Sequence, residues 1–287
     1  MPLVWSEAKL LKKSPLFTSK DFAETLDGGQ SFRFYRISEN TFEGVFGRNV
    51  VRLSLNKKGQ VLYSYPISLD EKIIKKELLY FLDFQRDYAE IINKTKDKNV
   101  IDASKRFPSL RILRQSPHES IICFICSSSK RIIQIKQCVK LLADTLGEPI
   151  CEGFNALPTF EKIANASDEE LRSCKLGYRA NYLKKTSQKI ISDKFDPNNL
   201  LTMPYPDAKK YLLSLTGVGE KVADCILLFG ASKFEAFPVD TWISKAMADL
   251  YKLESPKQAR LFASKKFGSN AGYIQQILFA KIRERTP

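Results

Sequence analysis

Between residues 20 and 65, apolar and polar side chains alternate with a period close to two. That is the period of a pleated chain, whose successive side chains point to opposite faces. Turn signals at Asp27-Gly28-Gly29, Ser38-Glu39-Asn40 and Asn56-Lys57-Lys58-Gly59 divide the run. They predict strands near 31–37, 41–47, 50–55 and 60–65 in an antiparallel sheet. A helical period takes over from Leu69 to about Lys94 and returns from about Pro117. It predicts helices over 117–127, 130–146, 168–174, 179–193, 206–214, 220–229, 240–251, 256–266 and 271–283. Pro149, Pro158, Pro197, Pro204 and Pro206 punctuate this part. No internal repeat or low-complexity linker stands out. The pattern is that of an α+β chain: an antiparallel sheet with flanking helices over 1–115, then an all-helical part over 116–287.

One junction in the helical part has its own chemistry. In 211–230 a helical run ends at Leu215, Gly217-Val218-Gly219 turns the chain, and a second helix starts at once. Two glycines permit a tight turn through backbone angles closed to other residues. The amides of Gly217, Gly219 and the next helical turn then lack internal partners. With the helix dipole they favour an anion, phosphate above all. The hairpin carbonyls of Leu213, Leu215 and Val218 could face a hard cation. A plain helix–turn–helix corner is the bland alternative, but the string L-x-G-V-G-x-K-x-A between apolar helices favours DNA contact.

Lys221 stands at the mouth of the second helix, among Val222, Ala223, Ile226 and Leu227. It is either a solvated or phosphate-binding charge or a nucleophile. A helix N-terminus and partial desolvation both favour the neutral amine, which is the attacking form. Nineteen residues on, Asp240 follows Pro238-Val239, a pattern that also reads as a helix N-cap. A capping carboxylate is held rigid and ionised, so capping and catalysis are compatible.

Composition narrows the partner. The 287 residues carry 46 Lys and Arg against 32 Asp and Glu, a net charge of +14, which points to a polyanion. No apolar run approaches a membrane span or an uninterrupted signal core, so an intracellular protein is expected. Cys123 and Cys126 form a C-x-x-C inside an apolar helical run without a second pair, which reads as core rather than zinc ligation. His118, the one histidine, follows Pro117 at a helix start and reads as structural.

Six strings, in order, resemble the 8-oxoguanine DNA glycosylase/AP lyases of the helix–hairpin–helix superfamily with its Gly-Pro-Asp loop. They are Gly28-Gly29-Gln30-Ser31-Phe32-Arg33-Phe34, Phe124-Ile125-Cys126-Ser127-Ser128, Leu176-Gly177-Tyr178-Arg179-Ala180, Val218 to Cys225, Pro238-Val239-Asp240 and Ala271-Gly272-Tyr273-Ile274-Gln275. The resemblance covers nearly the whole chain. It implies a sheet twisted like that of the TATA-binding protein, followed by two helical lobes around a cleft. It implies a bifunctional enzyme that flips 8-oxoguanine from the duplex, excises it through a Lys221 Schiff base and nicks the strand by β-elimination, with Asp240 as electrostatic partner. By the same resemblance the Gly29 carbonyl reads the lesion's N7–H, Gln275 bonds the base's pairing edge, and Cys225 and Phe279 sandwich it. Tyr178 becomes the wedge in the vacated stack and Arg179 a reader of the opposite base. Taken alone, Tyr178-Arg179 is only a helix start with an exposed charge. The four-cysteine iron–sulfur loop of more distant relatives is missing, since no cysteine follows Cys225.

Three positions depart from the family pattern. Ser129 and Gln134 replace an asparagine and an arginine that read the opposite cytosine, which implies weak cytosine preference. Trp242 replaces a phosphate-binding histidine. Expected are a monomer on damaged double-stranded DNA, no membrane, no required cofactor beyond a possible hairpin cation, and a place in cytoplasm and nucleoid, or in the nucleus of a eukaryote. The alternatives are a glycosylase for another damaged base and a non-catalytic DNA-binding hairpin module.

Overall fold

The computed structural model describes residues 3–284. Five strands form one antiparallel sheet: β1 (Lys9–Leu10), β2 (Phe34–Ser38), β3 (Thr41–Phe46), β4 (Asn49–Leu55) and β5 (Val61–Ser64), in the order β1-β5-β4-β3-β2. The four strands expected from the alternation are present within a few residues. The edge strand β1 had no signal, being two exposed residues long. Helix α1 (Ser19–Asp27) replaces the start of the expected alternation, and the turn at Gly28-Gly29 follows it. Its Phe22 and Leu26 lie one helical turn apart and are buried, and the Thr18 side chain caps it by accepting from the Asp21 amide.

The pattern over Leu69–Lys94 resolves into α2 (Glu71–Phe81) and α3 (Tyr88–Thr95). Asp83 breaks it. This residue turns left-handed (φ 47°), and its buried carboxylate takes Arg114 at 2.5 Å, Arg86 at 2.8 Å and the Tyr88 hydroxyl at 2.6 Å. Helix α4 (Lys98–Arg106), capped by Asp97, was not expected. Beyond it come α5 (Pro117–Cys126), α6 (Ile132–Leu146), the small hairpin β6 (Pro149–Cys151) and β7 (Phe154–Asn155), α7 (Phe160–Asn165), α8 (Asp168–Ser173) and α9 (Arg179–Ser192). The chain continues with α10 (Asn199–Thr202), α11 (Tyr205–Leu213), α12 (Glu220–Ala231), α13 (Thr241–Tyr251), α14 (Pro256–Phe267) and α15 (Ala271–Glu284). The class is α+β, a five-stranded sheet followed by a helical domain.

Two hydrophobic cores result. One packs Phe34, Phe42 and Leu53 of the sheet against Phe22 of α1 and Leu78 of α2. The other centres on α5 and α12 and draws in Tyr88 and Val100 from α3 and α4. Apolar burial of this kind contributes about 25 cal/mol per Å² removed from water. No helix among the described residues is long and apolar enough to cross a membrane.

A buried ion pair joins the sheet to the helical part. Arg33 Nη1 lies 3.0 Å from Glu119 Oε1 on α5, both side chains less than a tenth exposed, and the Gly47 amide donates to Glu119 Oε2 at 3.1 Å. Removing one partner strands the other charge in a low dielectric. Glu119→Gln is expected to cost about 3–5 kcal/mol in chemical denaturation. The double variant Arg33→Met/Glu119→Leu should cost less than that single change. If Glu119→Gln is neutral, the pair does not hold the two parts together.

Candidate active site

The hairpin is tight at one glycine and relaxed at the other. Gly217 sits at φ 84°, and a Cβ there would lie 2.5 Å from the Tyr182 ring. Gly219 corrects the expectation of two special glycines. Its φ of −93° and ψ of −179° are extended, and nothing lies within 4 Å of where a Cβ would be. It is the N-cap of α12, and no side chain caps that helix. Val218 is buried and its amide donates to the Leu215 carbonyl at 3.2 Å, so this amide does not point outward. The Thr186 hydroxyl donates to the Thr216 carbonyl at 2.8 Å.

A polar cluster around the buried Asp224 welds the two arms. Asp224 of α12 accepts from the Tyr205 hydroxyl at 2.7 Å and pairs with Lys209 of α11 at 2.9 Å. Lys209 also reaches Glu220 at 2.9 Å. Burial opposes the lysine's charge, but Asp224 and Glu220 beside it more than offset that and hold the ammonium above the usual lysine range.

At the foot of α12 a cleft of about 410 Å³ opens, within the size range of small-ligand sites. It is bordered by Gly29, Lys221, Cys225, Asp240, Gln275 and Phe279, from four separate stretches of chain. Lys221, in the first turn of α12, is half-buried. Its Nζ donates to Ser127 Oγ at 3.5 Å and lies 5.8 Å from the Phe124 ring centroid. The Ser127 hydroxyl donates its own hydrogen to the Phe124 carbonyl at 2.7 Å, which leaves a lone pair facing the amine. Asp240 is the N-cap of α13, its Oδ1 accepting from the Ile243 amide at 2.8 Å. Capping and a place on the cleft thus coexist.

Cys225 follows Lys221 by four residues on α12. Burial pushes its thiol up to about 11; the Lys221 ammonium counteracts this and Asp240 adds to it. At neutral pH Cys225 is therefore a thiol wall. Gln275 is buried and its Oε1 has no partner; the adjacent Gln276 is buried with Nε2 unpartnered. Each such atom costs about 1–3 kcal/mol of desolvation, which a ligand can return. Gly29 takes φ 100° on a loop pinned by its neighbour. The Gln30 side chain donates to the Arg111 carbonyl at 2.7 Å and accepts from the Leu113 amide at 2.9 Å.

The other expected contacts lie outside this cleft. Ser129 is exposed at φ 53° on the turn after α5. Gln134 is exposed and accepts from the Arg131 amide at 3.0 Å. Tyr178 is 53% exposed. Arg179, read from its neighbours alone as an exposed charge, is only 6% exposed. Its guanidinium donates to the Ser128 carbonyl (2.7 Å from Nε), the Leu176 carbonyl (3.2 Å) and the Tyr178 hydroxyl (3.0 Å). In the free protein it braces the turn carrying Ser127 to Ser129 against α9.

Sequence reasoning passed over four contributors. Ser127 was quoted only as part of a matching string, and Gln276 only adjoins Gln275. Asp224 stands inside the matching string Val218 to Cys225 without a role of its own, and Arg283 gave no signal. Cys123 and Cys126 are free and buried, as core cysteines should be. Among the described residues no three His, Cys, Asp or Glu cluster as metal ligands. The His118 ring nitrogen meets the Pro158 carbonyl at 3.0 Å, and burial lowers its pKa.

Two family descriptions match the chain in succession: the N-terminal domain of 8-oxoguanine DNA glycosylase over residues 16–121, and the HhH-GPD superfamily base excision DNA repair protein over residues 122–268. A probable N-glycosylase/DNA lyase of Methanothermobacter thermautotrophicus is 30% identical over 79% of this chain and 81% of its own. The N-glycosylase/DNA lyase OGG1 of Arabidopsis thaliana is 30% identical over 89% of this chain and 75% of its own. The Clostridium acetobutylicum 8-oxoguanine glycosylase/lyase, solved with double-stranded DNA containing cytosine opposite 8-oxoG, superposes with a TM-score of 0.85. It shares 31% identity over 99% of both chains.

The two hairpin glycines should respond differently to a methyl group. Gly217→Ala meets both positive φ and the Tyr182 ring and should lower stability by about 1–3 kcal/mol. Gly219→Ala should lose only the small preference of an N-cap for glycine over alanine and so cost less than Gly217→Ala. Equal destabilisation in calorimetry would contradict the geometry given for residue 219.

Proposed function

The chain belongs to the 8-oxoguanine DNA glycosylase/lyase family of the helix–hairpin–helix superfamily, and on that premise we propose how its own residues bind, excise and nick. The observation that carries the reading is the shared cleft: one amine, one capped carboxylate and one buried amide with an unpaired oxygen converge beside a glycine loop.

Double-stranded DNA damaged by oxidation is the partner, met by a monomer in the compartment that holds the genome. The amides of Gly217, Gly219 and the first turn of α12 receive a backbone phosphate. The lack of a side-chain cap at Gly219 supports this, because the helix start is left open for an external anion. The carbonyls of Leu213, Leu215 and Val218 suit a hard cation by donor type, although that of Leu215 already accepts from Val218. Exposed Tyr178 fills the gap in the stack. Arg179 reaches the opposite base only after leaving the Ser128 carbonyl, and exposed Ser129 and Gln134 read that base weakly.

The flipped base stacks between Cys225 and Phe279. Gln275 bonds its pairing edge and satisfies the Oε1 left unpaired in the free protein. The Gly29 carbonyl accepts N7–H of 8-oxoguanine and opposes the lone pair that guanine carries there. Lys221 Nζ gives up a proton to solvent and attacks C1′ with the freed lone pair. The C1′–N9 bond breaks, its electron pair leaves with the base, and the base takes up a proton. The nitrogen loses a proton, the C1′–O4′ bond opens with O4′ taking up a proton, and the nitrogen lone pair closes the protonated imine, while the Asp240 carboxylate stabilises the positive charge that develops on the sugar. Loss of the C2′ proton then expels the 3′ phosphate. Water releases Lys221 from the nicked product, and no cofactor enters this sequence.

Lys221→Gln should abolish covalent trapping by borohydride and strand nicking while 8-oxoguanine duplex is still bound; surviving trapping would show another nucleophile. Asp240→Asn separates two roles, because asparagine caps a helix as well as aspartate. It should keep the thermal midpoint and lower excision by about 10²–10³-fold. Wild-type rates at Asp240→Asn would remove the electrostatic role. Excision opposite each of the four bases should be comparable, and strong selectivity for cytosine would refute the reading of Ser129 and Gln134.

A further inference from the structure

The loop that presents Gly29 and the ring of Phe279 come from opposite ends of the chain, yet one side chain touches both. Arg283, in the last turn of α15, donates from Nη1 to the Gly28 carbonyl at 2.6 Å, across 255 residues of sequence. The same nitrogen lies 3.3 Å from Glu24 Oε1 on α1, the helix that runs directly into the loop. The guanidinium carbon stands 5.2 Å from the Phe279 ring centroid, one helical turn earlier on α15. Arg283 also borders the cleft.

The loop is thus held on both flanks of Gly29. Arg283 holds the Gly28 carbonyl, and the Gln115 side chain donates to the Gln30 carbonyl at 2.7 Å. The Gly29 peptide between them has little freedom left. That matters because the two bases to be told apart differ at N7 by a single hydrogen. A carbonyl separates them only if its distance and angle to N7 are fixed, since hydrogen bonds weaken steeply with misalignment. The stacking wall must be fixed in the same frame.

We infer that Arg283 is a positioning residue for lesion recognition: by bridging the Gly28 carbonyl and the Phe279 ring, it sets the spacing between the carbonyl that reads the base and the wall on which the base stacks. This rests on the proposed function and deepens its base-reading step. Arg283 takes no part in attack at C1′ or in β-elimination, and a strand with a preformed abasic site has no base to read. Excision and nicking should therefore separate.

The test compares wild type, Arg283→Met and Arg283→Lys under single turnover on two duplexes, one with 8-oxoguanine and one with a preformed abasic site. Thermal unfolding is followed in parallel. Misplacing a recognition group by about 1 Å can cost about 10²-fold. Arg283→Met is expected to lower 8-oxoguanine release by about 10–100-fold while abasic nicking stays within about twofold. Arg283→Lys, which can still donate to Gly28 and stand over Phe279, should recover part of the loss. Equal loss on both duplexes in both variants would mean a merely structural role and overturn the inference, as would undiminished release of 8-oxoguanine by Arg283→Met. Failure of the wild type itself on both duplexes would instead overturn the proposed function.

Discussion

Ten consecutive buried residues, Val222–Ala231, leave helix α12 without a solvent face. A helix enclosed in this way cannot slide or rotate without opening cavities in a core packed to crystal-like density. Lys221 and Cys225 hang from its first turns and inherit that rigidity. The weld between Asp224, Lys209 and Tyr205 extends it to α11 and so to the hairpin. The Lys221 amine and the hairpin turn are therefore parts of one rigid body, which is what the positioning proposed above for an everted nucleotide requires.

The rest of the cleft is attached to that body by polar contacts reaching far along the sequence. The Glu119–Arg33 pair fixes the sheet to α5, Gln30 stitches the Gly28–Gly29 loop to the segment 111–113, and Arg283 ties it to α15. The scaffold leaves few buried polar groups of the cleft unpaired, and two of them are the amides of Gln275 and Gln276. Unpaired amides at a ligand cleft are the expected place for a protein to forgo stability for function.

Much of this was legible in the sequence because the strongest signals are local. The alternation over 41–47 and 50–55 and the apolar helical run over 220–229 are set by residues close together in the chain, and the structure reproduces them within two residues. Helix α1 was hidden because a short run with Phe22 and Leu26 buried fits two periods equally well. Asp83 split one helical pattern into two through charges at Arg86 and Arg114, the second of which lies far along the chain. The cleft residues other than Phe279 were named from short strings, each confined to one loop or helix start. Arg179 was not readable in that way: its guanidinium bonds the Ser128 carbonyl on the turn after α5, 51 residues away. Arg283 acts through a still more remote partner, 255 residues away, and left no local trace, whereas Asp224 bonds Tyr205 and Lys209 of the preceding helix.

The most direct measurement is the structure of the Lys221→Gln protein bound to an 8-oxoguanine duplex. The account predicts the lesion everted between Cys225 and Phe279, its N7 within hydrogen-bond distance of the Gly29 carbonyl, and its C1′ flanked by residue 221 and Asp240. A base left in the stack, or everted with its sugar remote from both residues, would contradict it.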